Sequence, residues 1–283
     1  MTSDTLSIAQ TNHHQTGIGS VSVDFHLLLC VLLWGFLAVS CFPVACKASE
    51  TQVKRYTVDI LRTIPHSTSS FTQGFLYHNG FLYESTGLVG HSSLQKITPD
   101  TGEVLERLQV DGVFAEGLSR WDNRLIQLTW KDRFAYIYNL SDFSPAGIFQ
   151  YQTEGWGLTS DEQHLIMSDG TDVLYFRNPR TFAIERRVKV TFEGRSLPYL
   201  NELEYVDGSI YANVWYQDVI VQIDPASGKV LGIIGTQPIL RMLPPLSQDS
   251  VLNGIAYNTE MQTFYLTGKN WPKIFEVTLI QEF

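Results

Sequence analysis

Five positions in the chain combine polar chemistry with regular recurrence. Gln73, Glu116, Trp156, Asn201 and Asn253 each stand immediately before a recurring residue, namely Gly74, Gly117, Gly157, Glu202 and Gly254. Strand starts buried for packing alone favour small apolar residues. Two Asn, a Gln, a Glu and a Trp at equivalent places therefore point to a ligand site; the competing reading is a plug of satisfied polar groups that seals a channel. Glu116 is the only carboxylate of the five and is the natural group for proton transfer. A second set follows at matching offsets: Trp130 after Gly117, Trp215 after Glu202, and Lys269 slightly farther after Gly254. With Phe71, Phe114 and Trp156 these residues would wall an aromatic pocket holding one carboxylate, one ammonium and several amides. Single surface Trp residues need no such explanation, but several on one rim argue for a ligand.

Other chemistries find little support. His66, His78, His91 and His164 fall in separate repeats with no metal-ligand spacing, so the sequence assigns no metal ligand and points away from zinc catalysis. There is no G-x-S-x-G elbow, and the Gly-containing HNG and DGS pieces read as hairpin turns, not phosphate cradles. Asn139-Leu-Ser141 is a glycosylation sequon of the kind that arises often by chance. A net charge of −9 with no Lys/Arg-rich run excludes a nucleic-acid footprint.

The elements that must position the recurring residues are strands. The chain holds 16 Phe, 13 Tyr and 21 Gly, the balance of an all-β protein with many tight turns. A repeat of about 40 to 50 residues is the mark of propeller blades or solenoid units. Its copies begin TQGFLYHNGFLYE at Thr72, AEGLSRWDNRLIQLTW at Ala115, GWGLTSDEQHLIMSDG at Gly155, NELEYVDGSIYANVW at Asn201 and NGIAYNTEMQTFYLTGK at Asn253. Each reads as a hairpin, with apolar runs flanking a polar turn. A second strand pair follows the first four copies, whereas the fifth has only KIFEVTLIQEF, one strand short. The run Tyr56 to Arg62 is a supernumerary strand upstream, and pairing it with the last copy would close a ring and cover an open edge. The expected fold is a five-bladed β-propeller of four antiparallel strands per blade, its last blade closed by the N-terminal strand. The Pro-rich insertion from Thr236 to Gln248 reads as a rim loop that shapes the pocket mouth.

Residues 1–50 form a different region. FHLLLCVLLWGFLAVSCFPVA, residues 25–45, is long enough for the apolar core of a signal peptide and is followed by small residues. No Lys or Arg precedes it, and its length approaches a bilayer span, so a retained membrane anchor stays open beside a cleaved signal. Lipid modification of Cys41 is a weaker alternative. The three cysteines, Cys30, Cys41 and Cys46, all lie in this region, which leaves residues 51–283 without a disulfide or thiolate framework. The expectation is a leader of signal peptide or signal anchor plus flexible segment over 1–50, and one exported catalytic domain over 51–283, extracellular or periplasmic.

From about Tyr56 to Val277 the chain closely resembles the plant-type glutaminyl cyclase family, found in plants and many bacteria. The motifs that carry the resemblance are SFTQGF, LYESTG, FAEGL, QLTWK, EGWGLT, LNELEY, ANVW, LNGIAY and TGKNWP, in that order. The family pattern often has Gly where this chain has Ala115. The resemblance implies conversion of N-terminal glutaminyl residues of peptides to pyroglutamate with release of ammonia, without a required cofactor or zinc; an ion in the central channel stays open. It further implies Glu116 as proton shuttle, Asn201 and Lys269 on the developing oxyanion, Gln73 orienting the substrate, and Phe71, Phe114, Trp130, Trp156 and Trp215 as the walls. The partners expected are peptides with N-terminal Gln, no nucleic acid, a membrane only through an uncleaved leader, and a monomeric enzyme. The alternatives are a non-catalytic peptide- or glycan-binding propeller, or a calcium-dependent hydrolase, which would need a carboxylate cluster on the axis.

Overall fold

The structure, a computed structural model, describes residues 52–282. The expected leader and its three cysteines lie outside the described residues.

Nearly every described element is a strand, as the repeats of aromatic and β-branched residues require. An initial strand β1 (Lys54–Pro65) is followed by β2 to β5 (Thr72–His78, Phe81–Thr86, Ser93–Ile97, Val104–Gln109) and β6 to β9 (Ala115–Trp121, Arg124–Thr129, Phe134–Asn139, Pro145–Gln150). Next come β10 to β13 (Leu158–Ser160, Leu165–Met167, Val173–Arg177, Ile184–Lys189) and a small hairpin, β14 and β15 (Thr191–Phe192, Arg195–Ser196). The chain then runs through β16 to β19 (Leu200–Val206, Ser209–Val214, Val219–Ile223, Val230–Gly235), a short helix α1 (Gln237–Leu240), and β20 to β22 (Leu252–Asn258, Thr263–Gly268, Lys273–Gln281). The first three repeats each make a four-stranded antiparallel sheet in chain order.

The last two repeats share one eight-stranded sheet, β16-β17-β18-β19-β1-β22-β21-β20. As the strand count anticipates, β1 completes the final repeat, pairing antiparallel with β22 from Tyr56 to Pro65. It also does something the sequence did not announce: Lys54 to Thr57 pair in parallel with Gly232 to Gly235 of β19, welding the two repeats along an outer edge. At its other end β1 runs into His66, whose Nδ1 is 2.8 Å from the Trp271 carbonyl and whose Nε2 is 3.1 Å from Glu84 Oε1. Glu84 in turn accepts the Thr72 hydroxyl at 2.6 Å, so one buried cluster joins the first and last repeats.

The turns follow from residue type. Asn79 and Gly80, and Asp207 and Gly208, all have positive φ, the conformation a two-residue hairpin needs and that Asn-Gly and Asp-Gly supply at least strain. The Pro-rich insertion is not wholly loop: α1 occupies part of it, with Pro at its start, and buries Ile239.

Burial falls from the first strand of a repeat to the last. All but the final two residues of β2 are buried, whereas every residue of β5 is exposed or half-buried. The first strands β2, β6, β10, β16 and β20 pack against one another in succession, with β20 returning to β2. Their contact is backbone to backbone. A β-carbon on Gly157 would lie 2.0 Å from the Asn201 carbonyl oxygen, and one on Gly117 would lie 2.6 Å from Leu158 N. Between the sheets lie apolar clusters such as Ile166, Leu174, Phe176, Leu203 and Ile210, all fully buried. Gly157→Ala is expected to lower the unfolding free energy by about 1–3 kcal/mol, the usual cost of overpacking, as read by denaturant titration; unchanged stability would show that these strands can separate.

Candidate active site

The recurring polar residues sit where strand pairing breaks. Register slips between Thr72 and Gly74 in β2, Ala115 and Leu118 in β6, Leu200 and Leu203 in β16, and Leu252 and Ile255 in β20. Gln73, Glu116, Asn201 and Asn253 are the residues inside these slips, and a bulge is the standard device for re-aiming a side chain. In the third repeat β10 begins only at Leu158, and Trp156 precedes it, its carbonyl accepting the Gly117 N–H at 2.6 Å.

The second set is brought to the same end. The N–H groups of Gly87, Trp130, Trp215 and Lys269 donate to the carbonyls of Phe71, Phe114, Tyr199 and Val251 at 2.8 to 2.9 Å. These bonds pin the ends of β3, β7, β17 and β21 to the residues just ahead of the bulges. The aromatic rings then meet: Phe71 lies 6.0 Å from Phe114, Phe114 5.5 Å from Trp130, and Trp156 5.4 Å from Trp215, centroid to centroid. Lys269 Nζ is 4.8 Å from the Phe71 ring centroid. Two glycines make space for this wall. A β-carbon on Gly87 would be 2.4 Å from the Phe114 ring, and one on Gly170 would be 2.6 Å from Trp156.

The polar residues form the floor. Glu116 is 4% exposed and Lys269 5%, whereas the aromatic residues are half-buried. Burial pushes the Glu116 carboxyl well above the ordinary carboxylate range; the nearby Lys269 ammonium opposes this and the Glu154 charge adds to it. The same burial pulls the Lys269 ammonium below its ordinary value, against the attraction of Glu116 and Asp249. No side-chain or backbone group among the described residues donates a hydrogen bond to the Glu116 carboxylate. Asn253 Nδ2 donates to the Thr72 carbonyl at 2.9 Å and to Gln73 Oε1 at 3.1 Å. That leaves the Gln73 amide nitrogen free to donate and Asn253 Oδ1 without a donor. Asn201 Oδ1 is likewise unpartnered, and so is Asn213 Nδ2, whose Oδ1 accepts the Gly254 N–H at 2.9 Å. Unsatisfied amides gathered at one end of the inner strands mark a place that a polar ligand or water completes.

Contacts thus link Phe71, Phe114, Trp130, Trp156, Trp215 and Lys269, pair Gln73 with Asn253, and set Glu116 within electrostatic reach of Lys269. Three polar residues escaped the sequence reading. Glu154 accepts both the Trp130 and the Trp156 indole N–H, at 2.7 and 3.1 Å, and its signal was a charge two residues ahead of Trp156. Asn213 betrayed itself only as an amide among the mostly apolar residues of β17. Glu202 takes the place that glycine holds in the other repeats, and its two carboxylate oxygens accept the N–H groups of Phe75 and Ile255 at 3.1 and 2.9 Å. Among the described residues no three His, Cys, Asp or Glu side chains converge as a metal-binding group. A cavity of about 720 Å³ opens at the opposite, hairpin-turn end, lined by Tyr77, Arg120, Asp161 and Asp207 among others, and contains none of the predicted site residues.

Three comparisons bear on what the pocket does. A family model described as glutamine cyclotransferase matches residues 33–279. A glutaminyl-peptide cyclotransferase of Arabidopsis thaliana is 39% identical over 230 residues, covering 79% of this chain and 72% of the relative. The crystal structure of Myxococcus xanthus glutaminyl cyclase superposes with a TM-score of 0.78 at 34% identity, covering 82% of this chain and all of that one.

Because Phe114 fills the space beside Gly87, and a β-carbon there would also come within 3.1 Å of Gln73 Cγ, Gly87→Ala is expected to displace both. Substrate KM should rise about tenfold, the equivalent of one misplaced contact of 1.4 kcal/mol, with far-ultraviolet circular dichroism unchanged. An unaltered KM would remove Phe114 and Gln73 from the substrate pocket.

Proposed function

The chain belongs to the glutamine cyclotransferase family, and we propose that Glu116 is the proton carrier through which it closes N-terminal glutaminyl residues. It is a glutaminyl-peptide cyclotransferase: it converts the N-terminal Gln of peptides and proteins to pyroglutamate and releases ammonia. The proton shuttle rests on one observation above all, a buried carboxylate that accepts no hydrogen bond from any described residue and lies within electrostatic reach of the Lys269 ammonium.

The substrate carries its own nucleophile. Its neutral α-amine attacks the γ-carboxamide carbon, forming the ring C–N bond and placing charge on the carbonyl oxygen. Lys269 and Asn201 hold that oxygen, Lys269 as an ammonium and Asn201 through its amide. Glu116, as carboxylate, takes the proton from the attacking nitrogen and delivers it to the amide nitrogen; the C–N bond to that nitrogen breaks, ammonia leaves, and Glu116 is a carboxylate again. Gln73, oriented by Asn253, donates its free amide N–H to the substrate backbone. Phe71, Phe114, Trp130, Trp156 and Trp215 exclude water that would otherwise compete with the amine.

Each step has a protein group, so the proposed chemistry requires no zinc or other cofactor, and a chelator should leave the rate unchanged; lost activity would overturn that point. The four-strand repeats are read as five blades of a propeller, a reading supported by the completion of the last by β1 and by the succession of inner strands. Residues 1–50 are proposed as the export signal or retained anchor of a monomeric enzyme that works outside the cytoplasm, on the strength of their apolar run.

Glu116→Gln should fold normally and lose about a hundred- to ten-thousand-fold in ammonia release from a Gln-initiated peptide, the usual worth of general acid-base catalysis. Retained turnover would remove Glu116 from the role. The pH dependence has a definite sign. Protonation of Glu116 removes the base, so kcat/KM falls on the acid side, at a pH above the ordinary carboxylate range because the Glu116 value is raised. Loss of the Lys269 proton removes the oxyanion partner, so kcat/KM falls again on the alkaline side, below the ordinary lysine value. Lys269→Arg, whose guanidinium does not deprotonate in this range, should erase the alkaline limb and spare the acid one; persistence of the alkaline limb would assign it to another group.

A further inference from the structure

Glu154 has no part in the proton transfers just described, yet it occupies the middle of the pocket wall. Its Oε2 accepts the indole N–H of Trp130 at 2.7 Å and that of Trp156 at 3.1 Å, so a single oxygen bridges rings carried by two successive repeats. Charge-assisted bonds of this kind are about twice as strong as neutral ones. The Trp130 ring also carries a cation over its face: Lys131 Nζ lies 3.8 Å from its centroid. Ammonium over the face and carboxylate at the N–H polarise the indole in the same sense, and each strengthens the other.

The segment that presents Glu154 is held from several directions. The Gly155 N–H donates to the Trp130 carbonyl at 3.0 Å, the Trp156 N–H to the Ser168 carbonyl at 3.1 Å, and the Thr153 hydroxyl to the Glu154 carbonyl at 2.9 Å. Gly155 also presses on the Tyr151 hydroxyl, where a β-carbon would come within 2.4 Å. That hydroxyl is itself fixed, accepting the Thr129 N–H at 3.0 Å and donating to the Thr129 carbonyl. The backbone that carries the Glu154 carboxylate is thus fixed between the two tryptophans.

We propose that Glu154 is a positioning residue for the cyclisation, fixing the two indole rings of the pocket wall and setting a second negative charge within electrostatic reach of Glu116. The inference rests on the reading of this pocket as the site of glutaminyl cyclisation. Three titratable groups interact with Glu116 from its surroundings: Lys269 at the end of β21, and Glu154 and Tyr151 from the segment that follows β9. Lys269 favours the Glu116 carboxylate and Glu154 opposes it. A proton carrier must give up its proton as readily as it takes it, and Glu154 adds to the burial that keeps the Glu116 carboxylate basic against the neighbouring ammonium.

The two contributions separate by substitution. Glu154→Gln keeps an oxygen for the indoles and drops the charge, whereas Glu154→Ala drops both. In Glu154→Gln the near-ultraviolet circular dichroism of the free protein should match the wild type, while the acid limb of kcat/KM moves to lower pH, because loss of a like charge eases ionisation of Glu116. In Glu154→Ala the near-ultraviolet signal should change and KM should rise about tenfold or more, since two charged hydrogen bonds to the pocket wall are lost. An acid limb unmoved in Glu154→Gln, or a near-ultraviolet signal and KM unmoved in Glu154→Ala, overturns the proposal while pyroglutamyl product from the wild type upholds the reaction. No product from the wild-type protein overturns both.

Discussion

The innermost strands meet with no room for a side chain between them. At Gly157 the gap to the Asn201 carbonyl is too small for a β-carbon, and Gly74 and Gly117 face the next strand in the same way. This constraint sets the height of each first strand against its neighbours, and so brings the residues that precede those glycines to one level. A bulge at that level turns Gln73, Glu116, Asn201 and Asn253 out of the regular alternation. The fourth repeat solves the same packing problem differently. Glu202 replaces the glycine, and its carboxylate reaches the backbone of the first and last repeats, accepting N–H groups of Phe75 and Ile255. What a small residue achieves elsewhere by absence, Glu202 achieves by bonding.

Burial alone does not make a carboxylate reactive, as three glutamates show. Glu116, Glu202 and Glu204 are all pushed above their ordinary value by desolvation, Glu204 to about 8. Glu202 and Glu204 each accept backbone N–H groups, Glu204 that of Tyr257 at 3.0 Å, and Glu204 also the Thr159 hydroxyl at 3.3 Å. Their oxygens are committed to the fold. Glu116 has only the distant attraction of Lys269, and both partners of that pair are less stable in their charged forms than in water. Such a pair, next to unpartnered atoms of Asn201, Asn213 and Asn253, is an expense that folding does not require and that a polar substrate would relieve.

Much of this was legible in the sequence because the relevant information is periodic. The repeat fixed the hairpins, the polar turns fixed their register, and the missing last strand led to Tyr56 to Arg62 as its replacement. The nine predicted site residues converge on one end of the strands for the same reason. What the sequence did not reveal is cross-repeat contact without a repeat signature. The parallel pairing of Lys54 to Thr57 with β19 depends on where the chain lies after closure, not on any local pattern. Glu154 sits in a turn outside the strand alignment, and Asn213 is hidden in a buried run where an apolar residue would look equally natural. The helix within residues 236–248 was masked by three prolines, one of which starts it.

A ring of similar repeats tends toward symmetry, whereas a glutaminyl residue has none, so the repeats must differ where they meet the substrate. They differ at the end of the second strand. Gly87, Trp130, Gly170 and Trp215 hold the same offset from their repeat residues, and Lys269 takes the corresponding place at the end of β21. Where a tryptophan stands, the wall is built; where a glycine stands, the neighbouring ring of Phe114 or Trp156 moves into the vacant volume. The alternation converts a repeating scaffold into a wall closed on one flank by indoles and open to an ammonium on the other. The reaction needs such an arrangement, because the oxygen that gains charge and the nitrogen that loses a proton lie on different sides of the carbon under attack. The strands supply the common level, and the departures from repetition supply the direction.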